Sequence, residues 1–273
     1  MKPSLLCAVS HSFTEPYLNI LMQGQEKTWL QDEVPSNIEV IHFHGPPPNK
    51  LVQFLDRINE KIRWKGRYLH RVQALVSNFL LLPWMRKIPN YCPSQILKTS
   101  HKSIQIDFID TYLTYRWKFL GLMLYFLNET DHDYLLTTTT SSYINLPVLS
   151  DRIKSFPNGD FYYGAIPYPG AEFISGSNRV LSRQAVRKIL SNRASWPPGT
   201  IEDVAVGKLL GKMGIPPEHI PIINIPSLEV LESLPIGMLK TNYHFRLKSG
   251  PIRNRNDVHL MSVLNNKIRK ANE

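Results

Sequence analysis

The chain has 273 residues, 42% of them hydrophobic and 20% charged, which excludes a disordered chain and is enough for a full hydrophobic core. Lys and Arg outnumber Asp and Glu by 32 to 22. The resulting net charge of +10 favours an anionic partner, whether a nucleotide diphosphate, an acidic lipid surface or nucleic acid. The two cysteines, Cys7 and Cys92, form no CxxC motif, so neither a disulfide framework nor a structural zinc site is supported.

The apolar stretches are too short for a membrane span. The longest, 75–84 and 119–127, fall well short of the roughly 20 residues that a spanning helix needs. The first eleven residues have too short an apolar run for a secretory signal and are better interpreted as a first strand. We therefore expect a cytoplasmic protein, in the host cytoplasm if its source is a virus, with peripheral contact as its one route to a membrane.

Short apolar runs alternate with longer segments of helical period, which predicts an α/β fold with a mixed, mainly parallel sheet flanked by helices. In chain order, the pattern predicts strands at 5–9 and 38–43, a helix at 50–64, a long helix at 111–127, and strands at 134–138, 161–166 and 220–225. Ser182 is predicted as the N-cap of a further helix.

A dense basic and aromatic cluster spans residues 61–71. Such a cluster can stack on bases while pairing with phosphates. We favour the end of an amphipathic helix with a solvated basic face, and nucleic-acid binding remains the alternative.

Two polar positions stand at predicted element ends. Ser10 and His11 follow the first strand, where open parallel sheets bind ligands, so they are candidate contacts for a nucleotide base or ribose; a surface loop is the alternative. Asp110 precedes the long helix and is predicted, taken alone, as its N-cap.

Six short motifs follow one another in a definite order. They are DFIDTY at 107–112, DYLL at 133–136, NLP at 145–147, FISGS at 173–177, VLSR at 180–183 and IEDVAVG at 201–207. Together they resemble the β1,3-galactosyltransferase and Fringe-like family of inverting glycosyltransferases, over roughly 104–216. The resemblance implies a single GT-A domain, 1–273, with a nucleotide-sugar half, 1–145, and an acceptor and catalytic half, 146–273. It also implies a nucleotide-sugar donor, usually UDP-linked, and a glycan acceptor.

Members of that family usually hold Mn²⁺ through a DxD-type triplet, which here falls on Thr139, Thr140 and Ser141, just after Thr138. Every carboxylate is missing, and neutral hydroxyls are poor ligands for a hard divalent cation such as Mn²⁺ or Mg²⁺. We therefore predict no metal ligand and weak or absent metal dependence, with Thr138 to Ser141 contacting the donor.

The remaining donor contacts are implied by the resemblance. His244 is carried over as a residue that reaches the diphosphate, with Arg246 and Lys248 as helpers and Asp110 on the donor side. The basic C-terminal segment 240–255 is predicted to supply positive charges for the diphosphate in place of a metal, and a solvated basic tail is the alternative.

Asp203 is the predicted general base, because the resemblance assigns that role to the aspartate of the Glu-Asp-Val motif. Glu202 orients the acceptor or faces solvent. The alternative is a capping pair, Thr200 with Asp203, at the start of a helix. The loop residues Phe173, Ser175, Gly176 and Ser177 are the predicted sugar or acceptor contacts, with a tight turn as the alternative.

Two other classes of function stay open. The first is a protein that kept the fold and binds nucleotide or glycan without turnover. The second, less favoured, is a basic nucleic-acid-binding protein.

Overall fold

The computed structural model describes residues 3–47, 50, 89–95, 97–110, 114–196, 200–250 and 255–272. Within them, eight strands form one sheet: β1 (Leu5–Ser10), β2 (Ile38–His44), β3 (Tyr91–Pro93), β4 (Lys102–Ile106), β5 (Tyr134–Thr139), β7 (Tyr162–Ala165), β8 (Asn178–Ser182) and β9 (Glu218–Ile220). A separate antiparallel pair consists of β6 (Ser142–Ile144) and β10 (His244–Arg246).

The order across the large sheet is β3-β4-β2-β1-β5-β8-β7-β9. The central strands β4, β2, β1 and β5 are parallel, whereas β3 and β8 run antiparallel to their neighbours. The predicted α/β class, with a mixed and mainly parallel sheet flanked by helices, is thereby confirmed.

Seven helices longer than five residues cover the sheet in the described part of the chain, counting α-helices alone. They are α1 (Tyr115–Glu129), α2 (Leu146–Ile153), α3 (Arg183–Ser191), α4 (Glu202–Lys212), α5 (Leu228–Ser233), α6 (Ile236–Thr241) and α7 (Asp257–Asn272). Short helical turns, Tyr17–Asn19, Ile20–Gly24 and Gln25–Lys27, join β1 to β2. Among the described helices, none has both the length and the apolar character of a membrane span.

The hydrophobic core has two parts, one on each face of the sheet. Strand β1 is buried along its whole length, and its side chains alternate between the faces because successive residues of a strand point in opposite directions. Leu5, Cys7 and Val9 join the cluster that contains the apolar side of α7, whereas Leu6 and Ala8 join the cluster under α1, α3 and α4.

Most predicted strands lie where the structure has them, and the last one is wrong. Strands β1, β2, β5 and β7 match the predicted positions within one residue at each end. In the predicted 220–225 strand, only residue 220 belongs to a strand, and Asn224 makes an isolated bridge to Arg246. Pro221 and Pro226 enclose this segment, and a proline cannot donate a ladder hydrogen bond. The predicted helix 50–64 and the cluster 61–71 lie outside the described residues, apart from residue 50.

One predicted helix cap is confirmed, and two are wrong. Ser182 Oγ accepts a hydrogen bond from the Ala185 N–H at the start of α3. Helix α1 begins after Thr114, four residues beyond Asp110, so Asp110 does not cap it. The N-cap of α4 is Ile201, without a side-chain cap, so Thr200 and Asp203 do not form a capping box.

Helix α4 is seated tightly against the loop that precedes β8. A Cβ atom on Gly207 would lie 2.5 Å from the Cβ of Phe173 and 2.6 Å from the carbonyl oxygen of Glu172, both far closer than van der Waals contact. Gly211, four residues further along the same helix, has open space at the corresponding position. Only a glycine at position 207 lets α4 approach this loop.

We predict opposite effects of alanine at these two positions. Gly207→Ala forces the helix and loop apart and lowers the free energy of unfolding by about 1–3 kcal/mol. Gly211→Ala removes glycine's extra conformational freedom at a helix position without creating a clash. It therefore raises the free energy of unfolding by about 0.5–1 kcal/mol. Urea unfolding of both variants and the wild type measures the difference; equal effects would contradict the tight packing at Gly207.

Candidate functional site

The polar residues singled out in the sequence gather at one edge of the sheet. Ser10, at the end of β1, pairs in register with Thr139, at the end of β5. Because β8 is antiparallel to β5, it begins at this same edge, where Asn178 pairs with Thr138. The loop 173–177 therefore lies beside the hydroxyl run that follows β5.

Hydrogen bonds tie the hydroxyl run to its surroundings. Thr138 Oγ1 donates to the Ser177 carbonyl oxygen at 2.9 Å, and Ser142 Oγ donates to the same oxygen at 3.2 Å. The Leu247 N–H donates to the Ser141 carbonyl oxygen at 2.7 Å. Thr138 and Thr140 are buried and Thr139 is half-buried, so this run is a structured part of the sheet edge.

The hydroxyl triplet does not suit a divalent metal. Thr139, Thr140 and Ser141 supply neutral oxygens in place of carboxylates. The Arg255 guanidinium donates a hydrogen bond to Ser141 Oγ, so a fixed positive charge already lies where a cation would need negative ligands. Nor do the described residues contain a cluster of three or more His, Cys, Asp or Glu side chains that could hold a metal ion.

Glu202 is committed to a buried ion pair. Its Oε1 lies 2.6 Å from Arg179 Nη2, with side-chain exposures of 7% for Glu202 and 0% for Arg179. The Arg179 guanidinium also lies 3.9 Å from the centre of the Phe119 ring. This pair joins the start of α4 to the start of β8.

Asp203, the next residue, is half-buried in the first turn of α4. Burial raises the pKa of its carboxyl, while Arg179 and the N–H groups of Val204 and Gly176 oppose the rise. A carboxylate with a raised pKa is a stronger base than an exposed aspartate. Asp203 therefore has the electrostatic setting of a proton acceptor.

His244 is 4% exposed and fixed by its neighbours. Its Nε2 lies 3.1 Å from Ser142 Oγ. Burial, followed by the charge of Arg246, lowers the pKa of His244 from 6.5 to about 3, so its ring is neutral at physiological pH. His244 thus packs beneath the edge as an uncharged group, and Lys248 is exposed to solvent.

Arg246 lies among charges of both signs. Burial lowers the pKa of its guanidinium and Arg255 lowers it further, while Asp203 and Asp257 act in the opposite direction. In the described residues, its guanidinium has no hydrogen bond and no carboxylate oxygen within 4.0 Å. It is a half-buried cation on which the charge of Asp203 acts.

His11 and Asp110 form a second polar group near the end of β1. Lys118 Nζ contacts Asp110 Oδ1 at 2.5 Å and the His11 carbonyl oxygen at 3.4 Å. Neither ring nitrogen of His11 has a hydrogen-bond partner in the described residues, and its ring lies 4.8 Å from that of His44. Burial, His44, His42 and Lys118 lower the pKa of His11, so this ring is also neutral.

The loop before β8 presents both aromatic and hydroxyl groups. Tyr168 is 58% exposed and meets the half-buried Phe173 edge to face, with ring centres 6.0 Å apart. Ser175 and Ser177 are buried, and their hydroxyls lie 2.9 Å apart. Gly176 brings its backbone N–H to Asp203, so this loop adjoins the proposed base.

Sequence reasoning gave no role to Arg179, Asp257, Lys118 and Tyr168 of this edge, and it included Arg255 only as the last residue of the basic segment 240–255. A charged residue inside the apolar run of β8 was an available signal for Arg179. Nothing local signals Arg255, because its contact with Ser141 spans 114 positions of the chain.

No protein-family profile matches the chain, and no curated protein matches it, so the Fringe-like resemblance stays a prediction. Among solved structures, the mannosyltransferase PcManGT from Pyrobaculum calidifontis, in complex with GDP-Man and Mn²⁺, is 10% identical with a TM-score of 0.41 over 81% of this chain and 55% of that one.

Two structures of the glycosyltransferase GlyE from Streptococcus pneumoniae TIGR4 are also similar to this chain. The apo form is 8% identical with a TM-score of 0.48, over 99% of this chain and 63% of GlyE. The second is 8% identical with a TM-score of 0.46, over 98% of this chain and 63% of GlyE. The chain thus spans less than two thirds of each matched protein, and likenesses of this degree do not define an activity.

The neutral burial of His244 predicts a specific pH dependence of stability. Between pH 6.5 and about 3, the unfolded chain binds a proton at this histidine and the folded chain does not. Stability is therefore lost as the pH falls through this window, by up to about 1.4 kcal/mol per pH unit from this one group. Urea unfolding at pH 7, 6 and 5 should show a smaller loss in His244→Gln than in the wild type.

The matched control is His219→Gln, at an exposed histidine of β9, which should keep the wild-type slope. Identical slopes for His244→Gln and the wild type would contradict the neutral, buried state of His244.

Proposed function

We propose that this protein is an inverting glycosyltransferase that moves a sugar from a nucleotide-sugar donor, which the resemblance implies is UDP-linked, to a hydroxyl of a glycan or glycoside. The observation that carries the proposal is the position of Asp203, a half-buried carboxylate with a raised pKa, which directly follows the buried Arg179–Glu202 pair at the carboxyl edge of a mainly parallel sheet; its charge also acts on the Arg246 guanidinium. A base and an anion-binding cation are the two groups that such a transfer requires.

In the proposed step, Asp203 accepts the proton of the acceptor hydroxyl as the oxygen attacks the anomeric carbon. The new oxygen–carbon bond forms on one face of the sugar, and the bond to the diphosphate oxygen breaks on the other. Its electron pair leaves with the nucleoside diphosphate. A single displacement with one carboxylate base and no covalent intermediate inverts the anomeric configuration.

Donor and acceptor are proposed to lie on opposite sides of Asp203. Ser10 and His11, with two unpartnered ring nitrogens among the described residues, are proposed to contact the nucleoside, next to Thr138, Thr139, Thr140 and Ser141. Phe173 and the loop hydroxyls of Ser175 and Ser177 are proposed to receive the acceptor, because aromatic faces with a few placed polar groups suit a sugar ring. Glu202 supports the base through Arg179.

Asp203→Asn should abolish transfer and leave donor binding nearly unchanged, because it removes a proton acceptor of almost the same shape. We expect turnover to fall by about 10²–10⁴-fold. Product formation from a panel of nucleotide sugars and glycosides measures turnover, and calorimetry measures donor affinity. Asp151→Asn, at an exposed acid on α2, is the control and should keep full activity. Near-normal turnover of Asp203→Asn would refute the assignment.

Turnover should be retained in EDTA and should not rise on addition of Mn²⁺, because the hydroxyl triplet lacks carboxylate ligands and borders a guanidinium. A glycosyltransferase with an intact DxD motif, assayed in parallel, verifies that the chelator is effective. Activity that disappears in EDTA and returns with Mn²⁺ would overturn this expectation.

A second candidate is a protein that binds nucleotide sugar without turnover, and the loss of every carboxylate from the triplet favours it. The same assays separate the two. Nucleotide binding with no transfer to any acceptor and no donor hydrolysis would select the second candidate.

A further inference from the structure

Helices α3 and α4 contact each other in the layer that covers one face of the sheet. The apolar sides of both helices are buried in the same core cluster, so their opposite sides form one outer surface. We propose that this outer surface binds a membrane that carries anionic lipids. Such binding is separate from the proposed function, since it concerns where the protein lies and not which reaction it catalyses.

The outer surface of these two helices carries positive charges with few acids among them. Arg187, Lys208 and Lys212 are exposed, and Arg193 is exposed in the turn that follows α3. We refer to these four residues as the α3–α4 basic surface. Residues 183–191 contain no acid, and both acids of α4 lie in its first turn. None of the four cations forms an ion pair among the described residues.

The helices on the opposite face of the sheet carry charges of both signs. Glu229 and Glu232 are exposed on α5. On α7, Arg269 lies 2.6 Å from Asp32, and Lys267 Nζ donates to the Glu232 carbonyl oxygen at 2.8 Å. Carboxylates therefore offset part of the positive charge on that side, whereas α3 and the later turns of α4 contribute none. A protein with such an asymmetry turns its basic side toward a negatively charged surface.

The shape of the α3–α4 basic surface favours a membrane over a nucleic acid. Both helices keep their apolar sides in the core, so neither protrudes to enter a groove of duplex DNA. Proteins bind single strands through aromatic side chains that stack on bases. Trp196 is the one aromatic residue between positions 183 and 212, and it is 7% exposed. Cations spread over two neighbouring helices instead match the acidic headgroups of a bilayer, which are spread over a plane.

The test is cosedimentation of the full chain with lipid vesicles. One set of vesicles contains about one third phosphatidylserine in phosphatidylcholine, and the other contains phosphatidylcholine alone. The wild type should bind the anionic vesicles and not the neutral ones. This binding should weaken as NaCl rises from about 0.05 M to about 0.5 M, because salt screens the charges on both surfaces.

The decisive variant carries Lys208→Gln and Lys212→Gln together, at two exposed positions of α4. One lysine near an anionic bilayer strengthens binding about fivefold, so the double variant should bind the anionic vesicles about 25-fold more weakly. The matched control carries Arg152→Gln and Lys270→Gln, which remove the same charge from exposed positions on the opposite face. It should bind within about threefold of the wild type, because its basic surface is unchanged. Thermal unfolding verifies that both variants are folded.

The possible outcomes are distinct. Wild-type binding by the Lys208→Gln, Lys212→Gln variant would overturn the proposal, and so would a wild type that does not bind anionic vesicles at the lower salt concentration. Equal losses in the two variants would overturn it as well, because net charge would then explain the binding. A wild type that binds a short DNA oligonucleotide but no vesicle would assign the α3–α4 basic surface to nucleic acid instead.

Discussion

The buried ion pair between Arg179 and Glu202 is the constraint on which the candidate site depends. It connects the first turn of α4 to the start of β8, with the guanidinium against the Phe119 ring. Removing one partner of such a pair leaves a buried charge uncompensated, at a cost of about 3–5 kcal/mol. The pair therefore fixes the place of Asp203, which follows Glu202 directly, and Arg179 limits how far burial raises the pKa of Asp203.

At this edge of the sheet, positively and negatively charged side chains lie next to one another. Arg179 is beside Glu202, and Arg255 is beside Asp257, while neither Asp203 nor Arg246 has an oppositely charged side chain within ion-pair distance among the described residues. Two neutral pairs thus flank two groups that remain available to a ligand. His244 adds no charge, because burial keeps it neutral.

Much of the fold was readable in the sequence, because apolar runs bounded by turns determine where strands begin and end. Strands β1, β2, β5 and β7 and the Ser182 cap depend on such local patterns. The strand prediction for 220–225 was wrong because the isoleucines of this segment favour a strand, whereas Pro221 and Pro226 restrict its pairing. The prediction of Asp110 as an N-cap was wrong for a different reason, because its carboxylate forms a buried ion pair with Lys118, eight residues later.

The composition of the site was less accessible to sequence reasoning. The motif order directed attention to Asp203 and to the hydroxyl triplet, and the structure places both at one edge. Arg255 was included only as the end of a basic segment, and its contact with Ser141 could not be predicted, because that contact depends on how the C-terminal helix packs across the sheet. Contacts between distant parts of the chain leave no periodic signal.

The pairing of Arg255 with Asp257, and its contact with Ser141, link the polar edge of the sheet to the C-terminal helix α7. Leu260, Leu264 and Ile268 of α7 are buried in the core on one face of the sheet. The start of α7 is thus held at the sheet edge by polar contacts, whereas its later turns are held by apolar packing. Loss of the Arg255–Asp257 pair is therefore expected to weaken the attachment of α7 to the sheet as well as the arrangement of the sheet edge.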